Sequence, residues 1–100
     1  MDGKYTNARE HFFGAIRELA ASADSIQARL IEASANILNV TIDEFNGDPE
    51  LKIKFAKLLD ILATDQDDLE KVAVVNAAHM TDFEAAKVAD LICDFYYEIT

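Results

Sequence analysis

The carboxylates of one short acidic run are the first residues whose types and spacing could do chemistry. The run Asp65–Glu70, "DQDDLE", begins like the calcium loop of an EF-hand, in which oxygen ligands recur at alternate positions. That loop also needs Gly at its sixth position and Glu at its twelfth, where this chain has Glu70 and Asn76. The mismatch excludes a calcium loop of this type.

The two histidines do not match a metal site or a catalytic site. A di-iron helical bundle needs Glu-x-x-His pairs, but Ala8 stands three residues before His11 and Asn76 stands three before His79. Histidine can titrate near neutral pH, yet each of these lies on the polar side or at the end of a predicted helix, which favours a structural role. We predict no bound metal and no cofactor. One alternative stays open, an undetected hydrolase site or small-molecule site in the bundle interior around His11, Asn76 or His79.

Cys93 is the only cysteine, so the chain cannot form an intramolecular disulfide. Its neighbours at helical spacing, Ala86, Ala89 and Tyr96, are apolar, which favours a packing role over a nucleophile in positive surroundings. The three glycines are scattered and form no phosphate-binding loop. Because no catalytic constellation is found, we predict that the protein is not an enzyme.

The net charge narrows the choice of partners. The 100 residues carry a formal charge of −10, with 19 acidic against 9 basic side chains. The phosphate backbone of nucleic acids repels such a chain, so we predict no direct binding of DNA or RNA. The acidic excess is concentrated in residues 58–100, where Lys71 and Lys87 are the only Lys or Arg residues.

The hydropathy of the chain predicts a folded, water-soluble protein. Hydrophobic residues make up 51% of the chain, which is too many for intrinsic disorder. No apolar run reaches the length of a membrane span, and the N-terminal sequence does not follow the pattern of a signal peptide. We therefore expect a cytoplasmic protein of bacterial or phage type.

Apolar residues recur at spacings of three and four along nearly the whole chain, and this periodicity predicts an all-α fold. The segment 72–75, "VAVV", favours a strand locally, but we predict a helix because no second strand is present to pair with it. Residues 1–100 are predicted to form one domain, a small bundle of about five helices plus a one-turn helix near 41–46. The predicted helices span approximately residues 7–21, 25–38, 41–46, 49–63, 66–79 and 82–98.

Capping signals set these boundaries. Three pairs with Glu three residues after Asn or Thr match the capping box: Asn7 with Glu10, Thr41 with Glu44, and Thr81 with Glu84. The other signals are Thr6 as an alternative first cap, Asp24 or Ser25 as the second, Gly47 in a left-handed conformation, Asp48 as an N-cap and Pro49 as a first helical residue.

Two helices carry exposed features that indicate a contact surface. Ile53 and Ile61 fall on the polar side of the predicted helix 49–63. Either they belong to a contact surface, or another element of the same domain covers them. The last helix has an acidic stripe with aromatic neighbours, and such a stripe is either a recognition surface or a solvated face. The candidate partner contacts are Ile53, Lys54, Lys57, Ile61, Phe83, Asp90, Leu91, Asp94, Tyr97 and Glu98.

These features predict a small acidic helical protein that acts by protein–protein interaction, as a regulatory or accessory binding module. The apolar arc of the helix 82–98 covers about half its circumference, so this helix is either central or contacts a second copy in a homodimer. The alternative is an acidic nucleic-acid mimic of the phage-inhibitor type, which would bind a basic protein and release it as salt is added. Its candidate carboxylates are Asp65, Asp67, Asp68, Glu70, Asp90, Asp94 and Glu98.

Overall fold

The computed structural model describes residues 4–62 and 78–100, and within these ranges the fold is all-α, as predicted. Four α-helices are observed there where about five were predicted, because nearly all of the predicted helix 66–79 lies outside the described residues. The acidic run 65–70 lies outside them as well. Each observed boundary is within one residue of its prediction. The elements are α1 (Thr6–Ala21), α2 (Ile26–Ile37), a 3₁₀ helix (Ile42–Phe45), α3 (Pro49–Leu62) and α4 (Asp82–Ile99).

α1 and α2 form an antiparallel hairpin. Near the connection, the Arg29 guanidinium donates a hydrogen bond from Nη1 to the carbonyl oxygen of Leu19 at 2.7 Å. Further along the pair, a Cβ added to Gly14 would lie 3.1 Å from Oδ1 of Asn36. The absence of a side chain at Gly14 therefore leaves room for the Asn36 side chain between the two helices, at the modest helix-propensity cost of a glycine.

Four phenylalanine rings, each from a different element, occupy the centre of the core. Phe12 of α1 lies with its ring centroid 4.9 Å from that of Phe95 of α4. Phe45 of the 3₁₀ helix lies 5.1 Å from Phe55 of α3 and 5.4 Å from Phe95. Such tilted and edge-on pairs are stabilising beyond the area that they bury. Phe12, Phe55 and Phe95 also contact one another directly, so the rings connect α1, α3, α4 and the 3₁₀ helix, while α2 adds aliphatic side chains to the same core.

α4 packs against α1, α2 and α3. Gln27 of α2 fixes the start of α4, because its Nε2 donates hydrogen bonds to the Met80 carbonyl at 3.0 Å and to Asp82 Oδ1 at 2.7 Å. The buried face of α4 is narrower than the predicted apolar arc, since Ala86 and Cys93 are exposed. None of the described helices has the combination of length and apolar composition that a membrane span requires.

The capping box at the start of α4 is confirmed. The Glu84 amide donates to Thr81 Oγ1 at 3.1 Å, and the Thr81 amide donates to Glu84 Oε1 at 3.0 Å. The hydrogen bonds that Thr81 makes to the Glu84 carboxylate, first from its backbone amide, lower the pKa of Glu84, because they favour the ionised form. Their stabilisation is therefore present above the pKa of Glu84 in the unfolded chain, and is lost as the pH falls through the lowered value. Ser25 caps α2, and Asp48 caps α3 at Pro49, as predicted.

Two of the predicted capping boxes are wrong. The residue that precedes α1 is Tyr5 and not Asn7. Its backbone is left-handed (φ 59°), and its side chain makes no cap hydrogen bond. Glu44 forms no capping box with Thr41, whose side chain makes no cap bond to the described residues. Instead, the Glu44 carboxylate accepts hydrogen bonds from the Ala8 amide at 2.7 Å and from Asn7 Nδ2 at 3.1 Å. The 3₁₀ helix thus caps α1 from a distance in sequence. Gly47 does not adopt the predicted left-handed conformation.

We expect Thr81→Ala to lower the free energy of unfolding by about 1 kcal/mol, because it removes the side-chain acceptor of an N-cap. Thr41→Ala is the matched control, since Thr41 also precedes a helix but makes no side-chain cap bond to the described residues. Urea denaturation followed by circular dichroism measures both. Equal losses in the two variants would show that the capping bonds of Thr81 are not responsible.

Glu44→Ala should lower the free energy of unfolding by about 1–2 kcal/mol, because it leaves the Ala8 amide of α1 without its charged acceptor. Glu10 belongs to the predicted capping box that does not form. Glu10→Ala should therefore change the free energy of unfolding by less than about 0.5 kcal/mol. The same urea titration compares the two variants. A larger loss in Glu10→Ala would mean that α1 is capped locally after all.

Candidate protein-binding groove

α3 and α4 lie side by side, and an open groove of ≈ 610 Å³ runs between them on the outer surface. Leu58 and Phe95 form its floor, and both are buried because their other sides belong to the core. Helical spacing brings the wall residues of each helix to one side. The walls are Lys54, Lys57 and Ile61 from α3, and Leu91, Asp94, Tyr97 and Glu98 from α4.

The apolar side chains on the walls are far more exposed than those of a core. Ile61 is 39% exposed, Leu91 44% and Tyr97 82%. Single exposed apolar residues are common on proteins, but these three surround one concavity whose floor is also apolar. A concave apolar centre with an exposed aromatic residue is typical of recognition surfaces.

The two walls of the groove differ in charge. The α3 wall carries Lys54 and Lys57, and the α4 wall carries Asp94 and Glu98. Lys54 Nζ and Glu98 Oε1 form an ion pair across the groove, and the hydrogen bond to Glu98 raises the pKa of Lys54. Lys57 and Asp94 make no ion pair with any other described residue. The groove is thus basic along one side and acidic along the other, and its four charges cancel.

All ten predicted partner contacts are exposed, and seven of them line this groove. Ile53, Phe83 and Asp90 are exposed but do not line it. Phe83 instead lies under the Lys87 ammonium, with Nζ 5.3 Å from its ring centroid. Sequence reasoning did not include the floor, Leu58 and Phe95, because their spacing marks them only as core residues.

The described residues give no support to a small-molecule site around the histidines. A second hollow of ≈ 450 Å³ lies between α1 and α2, at Gly14, Arg17 and Asn36. Neither hollow includes His11 or His79, and Asn76 lies outside the described residues. Within residues 4–62 and 78–100 there is also no group of three His, Cys, Asp or Glu side chains that could hold a metal ion.

Cys93 is exposed, so the prediction that it packs in the core is wrong. The apolar arc of α4 is wider than the face that its neighbours cover, and Cys93 lies on the uncovered part. Partial burial raises the pKa of its thiol, and the nearby carboxylates of Asp90 and Asp94 raise it further. A raised pKa lowers the fraction of reactive thiolate at neutral pH.

The carboxylates of the acidic-mimic alternative divide into two groups. Asp65, Asp67, Asp68 and Glu70 lie outside the described residues, and Asp90, Asp94 and Glu98 lie on α4. Glu98 is paired with Lys54, and Lys57 stands on the opposite wall of the groove. Of these three α4 carboxylates, Glu98 alone has an ion-pair partner among the described residues.

No protein family model matches the chain, and no curated protein or solved structure shows significant similarity to it. The shape of the groove, its apolar lining and its charges are therefore the features from which a function is inferred.

We expect the rate of reaction of Cys93 with iodoacetamide to reach its midpoint at a higher pH than the rate of an ordinary cysteine, whose pKa is about 8.5. Asp94→Asn should shift the midpoint of the rate profile to lower pH, because it removes a negative charge that disfavours the thiolate. Glu10→Gln, at an exposed acidic residue of α1, is the charge-matched control. An unchanged midpoint in Asp94→Asn would contradict the electrostatic cause.

Proposed function

We propose that the protein is a non-catalytic binding module that docks another protein through the groove between α3 and α4. The observation that carries this proposal is the exposure of Ile61, Leu91 and Tyr97 around an apolar floor. Covering the exposed parts of the two aliphatic side chains would contribute on the order of 1–3 kcal/mol to a complex, before the cost of association. A regulatory or accessory protein needs a surface of this kind and no catalytic group.

The shape and chemistry of the groove favour a protein partner over a small molecule. Sites for small molecules enclose most of the ligand and place a few partly buried polar groups against it. This groove is open to solvent on its outer side, and its charged lining residues are four side chains that are exposed to solvent. A partner with its own apolar surface and charged margins fits such a groove better.

The acidic-mimic alternative has less support from the described residues. A mimic of nucleic acid must present negative charge to a basic channel. In the groove, Lys54 and Lys57 oppose Asp94 and Glu98, so a uniformly basic partner would meet like charges along α3.

Photo-cross-linking in cells of the native host tests the proposal. A photoreactive phenylalanine analogue in place of Tyr97 should form a discrete cross-link to a partner protein, because that side chain stands at the groove with 82% of its surface exposed. The same analogue in place of Phe83 is the matched control, an exposed aromatic position on the same helix outside the groove.

Adding Leu91→Arg to the Tyr97 variant should abolish the cross-link, because a charged side chain then replaces an apolar residue of the groove wall. Cross-links of equal yield at positions 97 and 83, or none at position 97, would refute the groove as a docking site. A cross-link between two copies of the chain would identify the partner as a second copy, and the complex as a homodimer.

A further inference from the structure

The opposite charges of the two groove walls specify the chemistry of a partner. We infer that the groove binds an amphipathic α-helix of another protein, whose apolar stripe lies over Leu58 and Phe95. The flank of that helix next to α3 is acidic, and the flank next to α4 is basic. This inference rests on the proposed function, since it takes the groove as the docking site and adds the identity of what docks there.

The shape of the groove favours a helix as its occupant. α3 has 14 residues and is therefore about 21 Å long, roughly four helical turns. A third helix laid along two packed helices places one ridge of side chains, at spacings of three, four and seven, into the groove between them. A second copy of this chain would present the same concave face, and two facing grooves would leave the space between them unfilled.

The charges of the walls favour split flanks on the bound helix. An acidic flank would lie against Lys54 and Lys57, and a basic flank would lie against Asp94 and Glu98. Lys57 and Asp94 are without an ion-pair partner among the described residues, and both would pair with the flanks of the bound helix. Each exposed ion pair changes an affinity by roughly 1.5-fold to fivefold.

The same charges set the direction of the bound helix. A helix turned end for end exchanges its two flanks, so that its acidic side would then face Asp94 and Glu98. Like charges at such close range lower the affinity, and one direction is selected. Split walls therefore give the groove specificity for orientation as well as for composition.

Three synthetic helical peptides with the same leucine stripe test this inference. One has an acidic and a basic flank, one has two basic flanks, and one has two acidic flanks. Fluorescence anisotropy measures their dissociation constants on the purified full chain at low and at moderate ionic strength. The split peptide should bind roughly threefold to tenfold more tightly than either uniform peptide, and this preference should shrink as salt is added.

Charge-reversal variants separate recognition from a general loss of folding. The double variant Lys54→Glu with Lys57→Glu makes both walls acidic and should transfer the preference to the peptide with two basic flanks. Asp94→Lys with Glu98→Lys should transfer it to the peptide with two acidic flanks. All four residues are exposed, so the variants should keep the far-ultraviolet circular dichroism of the parent. Leu91→Arg should weaken all three peptides.

Several results would overturn the inference. Equal affinities for the three peptides, or no binding by any of them, would refute a charge-selected helix. If the parent protein binds the peptide with two basic flanks most tightly, the result would favour the acidic mimic instead. A dimer of the parent in sedimentation, abolished by Leu91→Arg, would make a second copy the occupant.

The cross-linking experiment distinguishes these failures from a failure of the proposed function. If no peptide binds but position 97 still cross-links to another protein, the inference fails and the docking site stands. If position 97 cross-links within one chain to residues 63–77, the chain covers its own groove, and both the inference and the docking site fail.

Discussion

The packing of four phenylalanine rings is the constraint on which the described structure depends. Phe12, Phe45, Phe55 and Phe95 come from four different elements, and each ring contacts at least two of the others. Because aromatic side chains are large and rigid, their mutual packing sets the distances and angles at which their helices can lie. The 3₁₀ helix is short, yet Phe45 joins it to α3 and α4 through its contacts with Phe55 and Phe95.

The groove is a consequence of that packing. Phe95 contacts Phe55 on the core side, with ring centroids 5.7 Å apart, and also forms part of the groove floor. The two helices meet through these buried residues, and their outer sides diverge to leave Ile61 and Leu91 exposed. The floor is therefore held by the core, and a partner would dock on a surface that is already shaped, which reduces the entropic cost of binding.

The charge of the whole chain and the charge of the groove are different properties. The chain carries −10, but the groove has two lysines opposite two carboxylates. The net charge acts at long range, where it repels nucleic acids and other acidic surfaces. At short range, the separate walls of the groove determine which flanks of a partner meet favourable charges. The net charge therefore affects how a partner approaches the protein, whereas the charges of the groove walls affect the contact that the partner makes.

Helix positions and solvent-facing side chains could be read from the sequence, because periodicity and capping by Thr81 act within one or two turns of the chain. The exposure of the ten candidate contact residues was predicted for the same reason, since exposure follows from the face of a helix on which a residue lies. The cap that Glu44 provides to α1, the exposure of Cys93 and the meeting of α3 with α4 could not be predicted. They depend on which helices pack together, and helical periodicity gives the width of an apolar face but not the neighbour that covers it.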